Sequence, residues 1–399
     1  MEKNKSGVSI IIPTYNGGET FRQCLSMIAS QKYPASVETI IIDSGSADGT
    51  LNAARDFGAH ILSIPQADFH HSRTRNHALK AVSYPKVVFL VQDAIPTSNT
   101  WLTTLSDTLE THDVVAASGV HFPHTWADLY ARVEVDFHRK YLGSAFRTFT
   151  LDYSFEEHES YERLLRKIRL DNVSAIYRTE IIRNNPFPEV QYGEDMAWAY
   201  SIFKKGYKIA YNPAAAVYHS HNRSSDYRFS RALIDSLAKA MILSRVREDL
   251  SHVSFNQYQD VHENILRSSA RMTESFLASF NPVGWPNNIA VFRKIMYIHQ
   301  VMRSLLNKVS LRRYMSDKRS SFTWVKSFVS AYEHRMLKHL LFVLMRYNGF
   351  TADDLKSFIS SDTYTILGNV LGEIYGSKLL KGVAEDEFST FVNLHMAGV

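Results

Sequence analysis

The sequence predicts an α/β domain built on a doubly wound, mostly parallel sheet, followed by a mainly α-helical domain. Three observations carry this expectation. Short β-branched runs alternate with stretches of helical apolar spacing between Val8 and Val91. Polar clusters stand where those runs end. From about Ser224 the strand signals fade and helical spacing takes over. The chain therefore divides at residues 1–223 and 224–399.

Val8 to Ile12 is a buried strand of the parallel-sheet type, stopped by Pro13. Helical spacing follows through Phe21, Leu25, Met27 and Ile28. A second strand, Val37 to Ile42, ends on Asp43, and the turn Ser44 to Thr50 opens a helix through Phe57 with Ser46 or Asp48 as its cap. Ala59 to Ile64 reads as a third strand and Ser72 to Val82 as a helix. Lys86 to Val91 is a fourth strand, ending on Gln92-Asp93-Ala94. In such sheets ligands sit beyond the carboxyl ends of the strands. That places Pro13, Thr14, Tyr15 and Asn16, then Asp43 and Ser44, then Gln92 and Asp93 on one rim.

Each cluster also reads as plain turn chemistry. As ligands, Asp43 would accept hydrogen bonds from a base or ribose, and Asp93 would offer a hard oxygen to a diphosphate-bound divalent cation. Arg75, at a helix start with Arg73 nearby, would reach a diphosphate or remain a solvated charge. Neither G-x-G-x-x-G nor G-x-x-x-x-G-K occurs after the first strand, which argues against a dinucleotide site and a P-loop.

The stretch from Val190 to His221 gathers further chemistry. Glu194 and Asp195 follow Gly193 at a helix start, where paired acids also serve simply as favourable charges on the helix dipole. A short strand, a turn at Asn212-Pro213 and a second strand lead to His219 and His221, on one side if extended.

Composition narrows the class. At 399 residues, 45% hydrophobic and 21% charged, the chain suits two globular domains. The single cysteine, Cys24, excludes an internal disulfide and fits a reducing compartment. MEKNKSG runs directly into a strand without a signal peptide, and no apolar run approaches the roughly 18 residues of a membrane span. The expected place is the cytoplasm, in solution or peripheral on the cytoplasmic face of the inner membrane. Net charge is +5, concentrated between Arg303 and Arg346, where ten Lys and Arg face only Asp317 and Glu333. That segment reads as a solvated helix face, as a contact for an anionic membrane surface, or as a site for an acidic polysaccharide or partner chain. No recognition motif accompanies the charge, so nucleic acid is not an expected partner. Helical spacing recurs at Phe229 to Leu250, Val261 to Phe280, Val291 to Leu306, Trp324 to Met345, Asp353 to Ile359 and Ile366 to Leu380, with a break at Asn281-Pro286. Oligomeric state is open.

In order, IIPTYNGGE, TIIIDSGSADGT, FHHSRTRNHAL, VVFLVQDAIP, LDNVSAIYR and PFPEVQYGEDMAWAYSIFKKGYKIAYNPAAAVYHSH form a series over residues 7–222. The series resembles family 2 glycosyltransferases of the GT-A fold, which are inverting and use nucleotide sugars. Within them it looks most like bacterial rhamnosyltransferases of O-antigen and capsule synthesis, which use dTDP-L-rhamnose. The resemblance implies Asp195 as general base, with Glu194 orienting donor or acceptor. It implies that Pro13, Thr14, Tyr15, Asn16, Asp43, Ser44 and Gln92 hold the nucleotide, and that Asp93 with Mg²⁺ or Mn²⁺, helped by Arg75, carries the leaving diphosphate. Asp171, Asn172 and Trp198 would line the sugar or acceptor pocket, although Trp198 also suits a core position. His219 or His221 would complete the metal site. The usual Asp-x-Asp is absent, and Gln92-Asp93-Ala94 keeps one carboxylate in its place. The implied acceptor is a growing glycan or a polyprenyl-linked one. A transferase using a UDP-sugar, and a non-catalytic glycan-binding or scaffolding descendant, rank behind this reading.

Overall fold

The computed structural model describes residues 6–150, 159–277, 321–347 and 349–396. The expected helix at 291–306, the break at 281–286 and the first part of the basic segment, 303–320, lie outside the described residues.

The first unit comprises Met1–Ala127 and Glu134–His221. Its elements run β1 (Gly7–Thr14), α1 (Gly18–Ala29), β2 (Ser36–Asp43), α2 (Thr50–Phe57), β3 (His60–Ser63), α3 (His71–Ala78), β4 (Lys86–Leu90), β5 (Ile95–Pro96), α4 (Trp101–Thr111), β6 (Ala116–Ser118) and β7 (His121–Phe122). They continue with α5 (Leu129–Leu142, in this unit from Glu134 onward), β8 (Arg147–Phe149), α6 (Tyr161–Lys167), β9 (Ser174–Arg178), α7 (Thr179–Asn184), α8 (Glu194–Phe203), β10 (Ile209–Tyr211) and β11 (Val217–Tyr218). The main sheet has the order β3-β2-β1-β4-β9-β6-β10-β8, and a small sheet has the order β5-β11-β7. Strands β3, β2, β1 and β4 are parallel, as the alternating pattern predicts. Beyond them β9 runs antiparallel to both β4 and β6, and β8 antiparallel to β10. The sheet is thus mixed at one end, where the strands are short and carry little periodic signal.

Both faces of the strands are covered, which explains their continuous apolar runs. Val8, Ile10 and Ile12 turn to one face with Phe21 and Leu25 of α1 and Trp101 of α4. On the other face Phe89, Tyr177, Phe187 and Trp198 meet edge to face, with Tyr177–Trp198 centroids 4.9 Å apart. Pro13 does not stop β1 as expected: it pairs in register with Ile42. β4 pairs with β1 only as far as Ile11, so the proline falls where the strand has lost one neighbour. The cap of α2 is also a correction, since its N-cap is Gly49 in the left-handed region.

The second unit comprises Asp128–Val133 and Asn222–Val399. Its described helices are α9 (Ser225–Leu243), α10 (Phe255–Leu277), α11 (Ser321–Arg346), α12 (Ala352–Lys381) and α13 (Asp386–Met396). The two short helices expected at 353–359 and 366–380 are one, α12. The polar run Ser360 to Thr363 does not break it, because those groups are met from neighbouring helices: Ser225 bonds Ser360, His339 bonds Asp362, and Tyr332 bonds Thr363. Gly368, Gly372 and Gly376 then form a stripe one turn apart. A Cβ on Gly368 would stand 2.2 Å from the Phe229 carbonyl, and one on Gly372 2.6 Å from that of Leu233. The stripe lets α12 lie backbone to backbone on α9. No helix among the described residues is long and apolar enough to cross a membrane.

Candidate active site

Gly193 sets the geometry of the paired carboxylates. It is the N-cap of α8 with φ +77°, a left-handed conformation that costs an L side chain about 1 kcal/mol. From there Glu194 and Asp195 diverge. Glu194 turns inwards, where its Oε1 lies 3.0 Å from Arg75 Nη1 and accepts from Asn172 Nδ2 at 3.0 Å. Both side chains of that ion pair are about 95% buried. Asp195 is partly exposed; its Oδ2 accepts from the Asn172 N–H at 3.0 Å and its Oδ1 from the Met196 N–H at 2.7 Å. Tyr177 donates to Asn172 Oδ1 at 2.6 Å, so one asparagine fixes both carboxylates.

Electrostatics separate the pair further. Burial works against the charge of Glu194, but Arg75, His71 and the Asn172 amide hold its carboxyl below the usual range. Asp195 goes the other way: burial, then the charges of Glu194 and Asp171, push it up to about 7. Two adjacent carboxyls pushed apart in this manner are the pattern of one fixed charge and one proton acceptor.

These contacts bear on three expectations. Arg75 faces Glu194 and the His71 carbonyl rather than a diphosphate. Glu194 is buried, with its Oε1 engaged by both Arg75 and Asn172. Trp198 is fully buried, donates to the Asn185 carbonyl at 2.6 Å, and belongs to the core. Asn172 is interior as well, acting through the carboxylates it bonds.

The rim loops zip to one another. Asp43 accepts from the Gly45 and Ser46 N–H groups on Oδ1, and from the Thr14 and Ser46 hydroxyls on Oδ2. Its four acceptor positions are filled and it is buried, so it organises the loop instead of receiving a base. Ser44 donates from both N–H and hydroxyl to the Thr14 carbonyl. Asn16, at φ +46°, donates its N–H to the Ser46 hydroxyl and accepts the Ala47 N–H on its side-chain oxygen. Gln92 clamps the Tyr15 peptide, accepting from its N–H at 2.9 Å and donating to its carbonyl at 3.0 Å. The Tyr15 side chain is left exposed on this platform.

Asp93 meets the expected histidines. Its Oδ1 is 3.8 Å from His219 Nε2 and its Oδ2 is 3.3 Å from His221 Nδ1. The small sheet brings them together, since Asp93 precedes β5 and both histidines follow β11. Burial pulls His219 down to about 4, against the pull of Asp93, so its imidazole is neutral at pH 7 as a metal ligand must be. One carboxylate and two imidazoles fit Mn²⁺ better than Mg²⁺, which prefers oxygen.

Four residues that sequence reading passed over surround this cluster. His124 Nε2 lies 3.1 Å from the Asp93 carbonyl, and exposed Trp126 stacks on the His124 ring at 4.6 Å. His121 and His138 face Asp171, at 3.7 and 3.9 Å from its Oδ2. The only signal for three of them was the histidine density of HFPHTW, which has no fixed metal spacing, and His138 stands apart from it.

Comparison with known proteins gives consistent results. Residues 9–167 match the model of glycosyl transferase family 2. The O-antigen chain rhamnosyltransferase RfbN of Salmonella typhimurium is 31% identical over 230 residues, covering 56% of this chain and 69% of that protein. WbaN of Salmonella anatum, another O-antigen chain rhamnosyltransferase, is 32% identical over 227 residues with the same coverage. Among solved structures, the mannosyltransferase PcManGT from Pyrobaculum calidifontis, in complex with GDP-Man and Mn²⁺, aligns with TM-score 0.46 and 19% identity. That alignment covers 82% of this chain and 86% of that one.

Proposed function

The chain belongs to glycosyl transferase family 2, and we propose that it is an inverting enzyme transferring L-rhamnose from dTDP-L-rhamnose to a hydroxyl of a growing surface glycan or lipid-linked acceptor. The fold is GT-A with a helical C-terminal region, and the activity is glycosyl transfer. The observation that carries the mechanistic reading is Asp195, a partly exposed carboxyl raised to about 7 beside an inward-facing, ionised Glu194. Each of its oxygens has one N–H partner and a lone pair to spare. It takes the proton of the acceptor hydroxyl as that oxygen attacks the anomeric carbon from the face opposite the diphosphate. Asn172 holds the carboxylate in place, and Arg75 supplies the counter-charge that keeps Glu194 ionised.

Asp93, His219 and His221 would hold a divalent cation, Mn²⁺ by their chemistry, which neutralises charge on a leaving diphosphate. The loops at Pro13–Asn16 and Asp43–Ser44 offer a preformed platform to the nucleotide, with Tyr15 as its exposed ring. The rhamnose assignment rests on the two Salmonella relatives. Thermal-shift screening tests it: dTDP is expected to raise Tm more than UDP or GDP. Stabilisation by UDP alone would transfer the proposal to a UDP-sugar donor. The basic segment ending at Arg346 supports a peripheral position on an anionic membrane surface. Pelleting with anionic liposomes, but not neutral ones, is the expected result, and no pelleting with either removes the membrane from the proposal.

A further inference from the structure

We propose that His121, His138 and Asp171 form a second cation site, beside that of Asp93, which takes a transition-metal ion of the Zn²⁺ type. Three separate elements supply the donors: His121 stands on β7, His138 on α5, and Asp171 on the loop before β9. Their ligand atoms all lie within 4.8 Å of one another. His121 Nε2 and His138 Nε2 converge on a single oxygen, Asp171 Oδ2, at 3.7 and 3.9 Å. The other oxygen, Oδ1, is held by the Val173 N–H at 3.1 Å, which aims Oδ2 between the imidazoles.

Those separations are too long for hydrogen bonds. They are close to what a shared cation needs, since bonds of about 2.0–2.1 Å put tetrahedral neighbours roughly 3.3–3.5 Å apart. Each histidine would close on Asp171 by a few tenths of an ångström, and the two imidazole nitrogens already lie within 4.8 Å of each other. A second observation points the same way. The His121 side chain is more than nine-tenths buried, and its Nε2 has no hydrogen-bond partner. A buried imidazole aimed at a carboxylate but not bonded to it is costly unless something stands between them. Two imidazoles and one carboxylate favour zinc-like ions over Mg²⁺ or Ca²⁺ and leave a fourth position open.

The site has a consequence for the reaction. A cation there ties β7 and α5 to the segment whose next residue, Asn172, donates to Asp195. His121 also lies edge to face against His219 with centroids 5.5 Å apart, so the two sites are neighbours. The proposal does not depend on the identity of the donor sugar, and its test does not use transfer activity.

The full chain is stripped with chelator, loaded with Co²⁺, and its metal content measured per chain with the visible d–d spectrum. The expected result is two bound equivalents, of which His138→Asn loses the one at His121, His138 and Asp171 while His221→Asn loses only the other. His138→Cys guards against a folding artefact, because a thiolate at that position adds a sulfur-to-cobalt charge-transfer band only if residue 138 touches the metal. Metal content unchanged in His138→Asn, together with no charge-transfer band in His138→Cys, overturns the proposal.

Discussion

The two sides of the candidate site satisfy their polar groups differently. On the nucleotide rim Asp43 accepts four hydrogen bonds, Gln92 uses both ends of its amide, and Asn16 bonds across to the next loop. On the histidine side Asp195 keeps lone pairs open, and Asp93 and Asp171 face imidazoles at 3.3 to 3.9 Å. Groups satisfied by their own chain build a rigid platform. Carboxylates that face imidazoles, or keep a lone pair open, are the ones left for substrate, proton and metal.

The contrast can be broken one residue at a time, and the largest effect belongs to the base. Asp195→Asn keeps the shape but removes the proton acceptor, so kcat should fall by roughly 10²–10⁴-fold. Nucleotide affinity, read by thermal shift with dTDP, should stay near wild type. Arg75→Met comes next. It leaves Glu194 charged and buried without a counter-ion, a change that costs about 3–5 kcal/mol and should appear as a large drop in Tm. Were Arg75 instead a diphosphate ligand, the variant would lose donor affinity with little change in stability. Asp93→Ala should abolish Mn²⁺ binding at its cluster and weaken donor binding by at least roughly 10–100-fold, the range for perturbed metal shells. Titration calorimetry with Mn²⁺ and dTDP reads both. Smallest is Ser46→Ala on the rim, which removes bonds to Asp43 and Asn16 and should lower stability by about 1 kcal/mol. A loss of donor affinity larger than that of Asp93→Ala would mean that Ser46 binds ligand directly.

The same contrast explains what the sequence made legible. Positions at strand ends and the Gly193-Glu194-Asp195 turn are set by local chemistry, so the rim and the carboxylate pair could be placed from spacing. What each side chain does depends on partners far along the chain. Asp43 is filled by Thr14, and Arg75 is turned inwards by Glu194. Trp198 is drawn into the core by Tyr177 and Phe187. His121, His138 and Asp171 come from three elements and have no spacing to read. In the helical unit the polar run at 360–363 reads as a break for the same reason: the histidine, tyrosine and serine that satisfy it are distant in sequence.

The central claim is that Asp195 takes the acceptor proton, and the pH dependence of turnover tests it most directly. A base works ionised, and this carboxyl is raised to about 7, so activity must be gained as pH rises through that value and lost below it. Nucleoside diphosphate release from dTDP-L-rhamnose should therefore show kcat/KM climbing to a plateau with a midpoint near 7, a limb that Asp195→Asn eliminates. A profile flat from acid to alkaline pH, or an Asp195→Asn enzyme turning over at the wild-type rate, would contradict it.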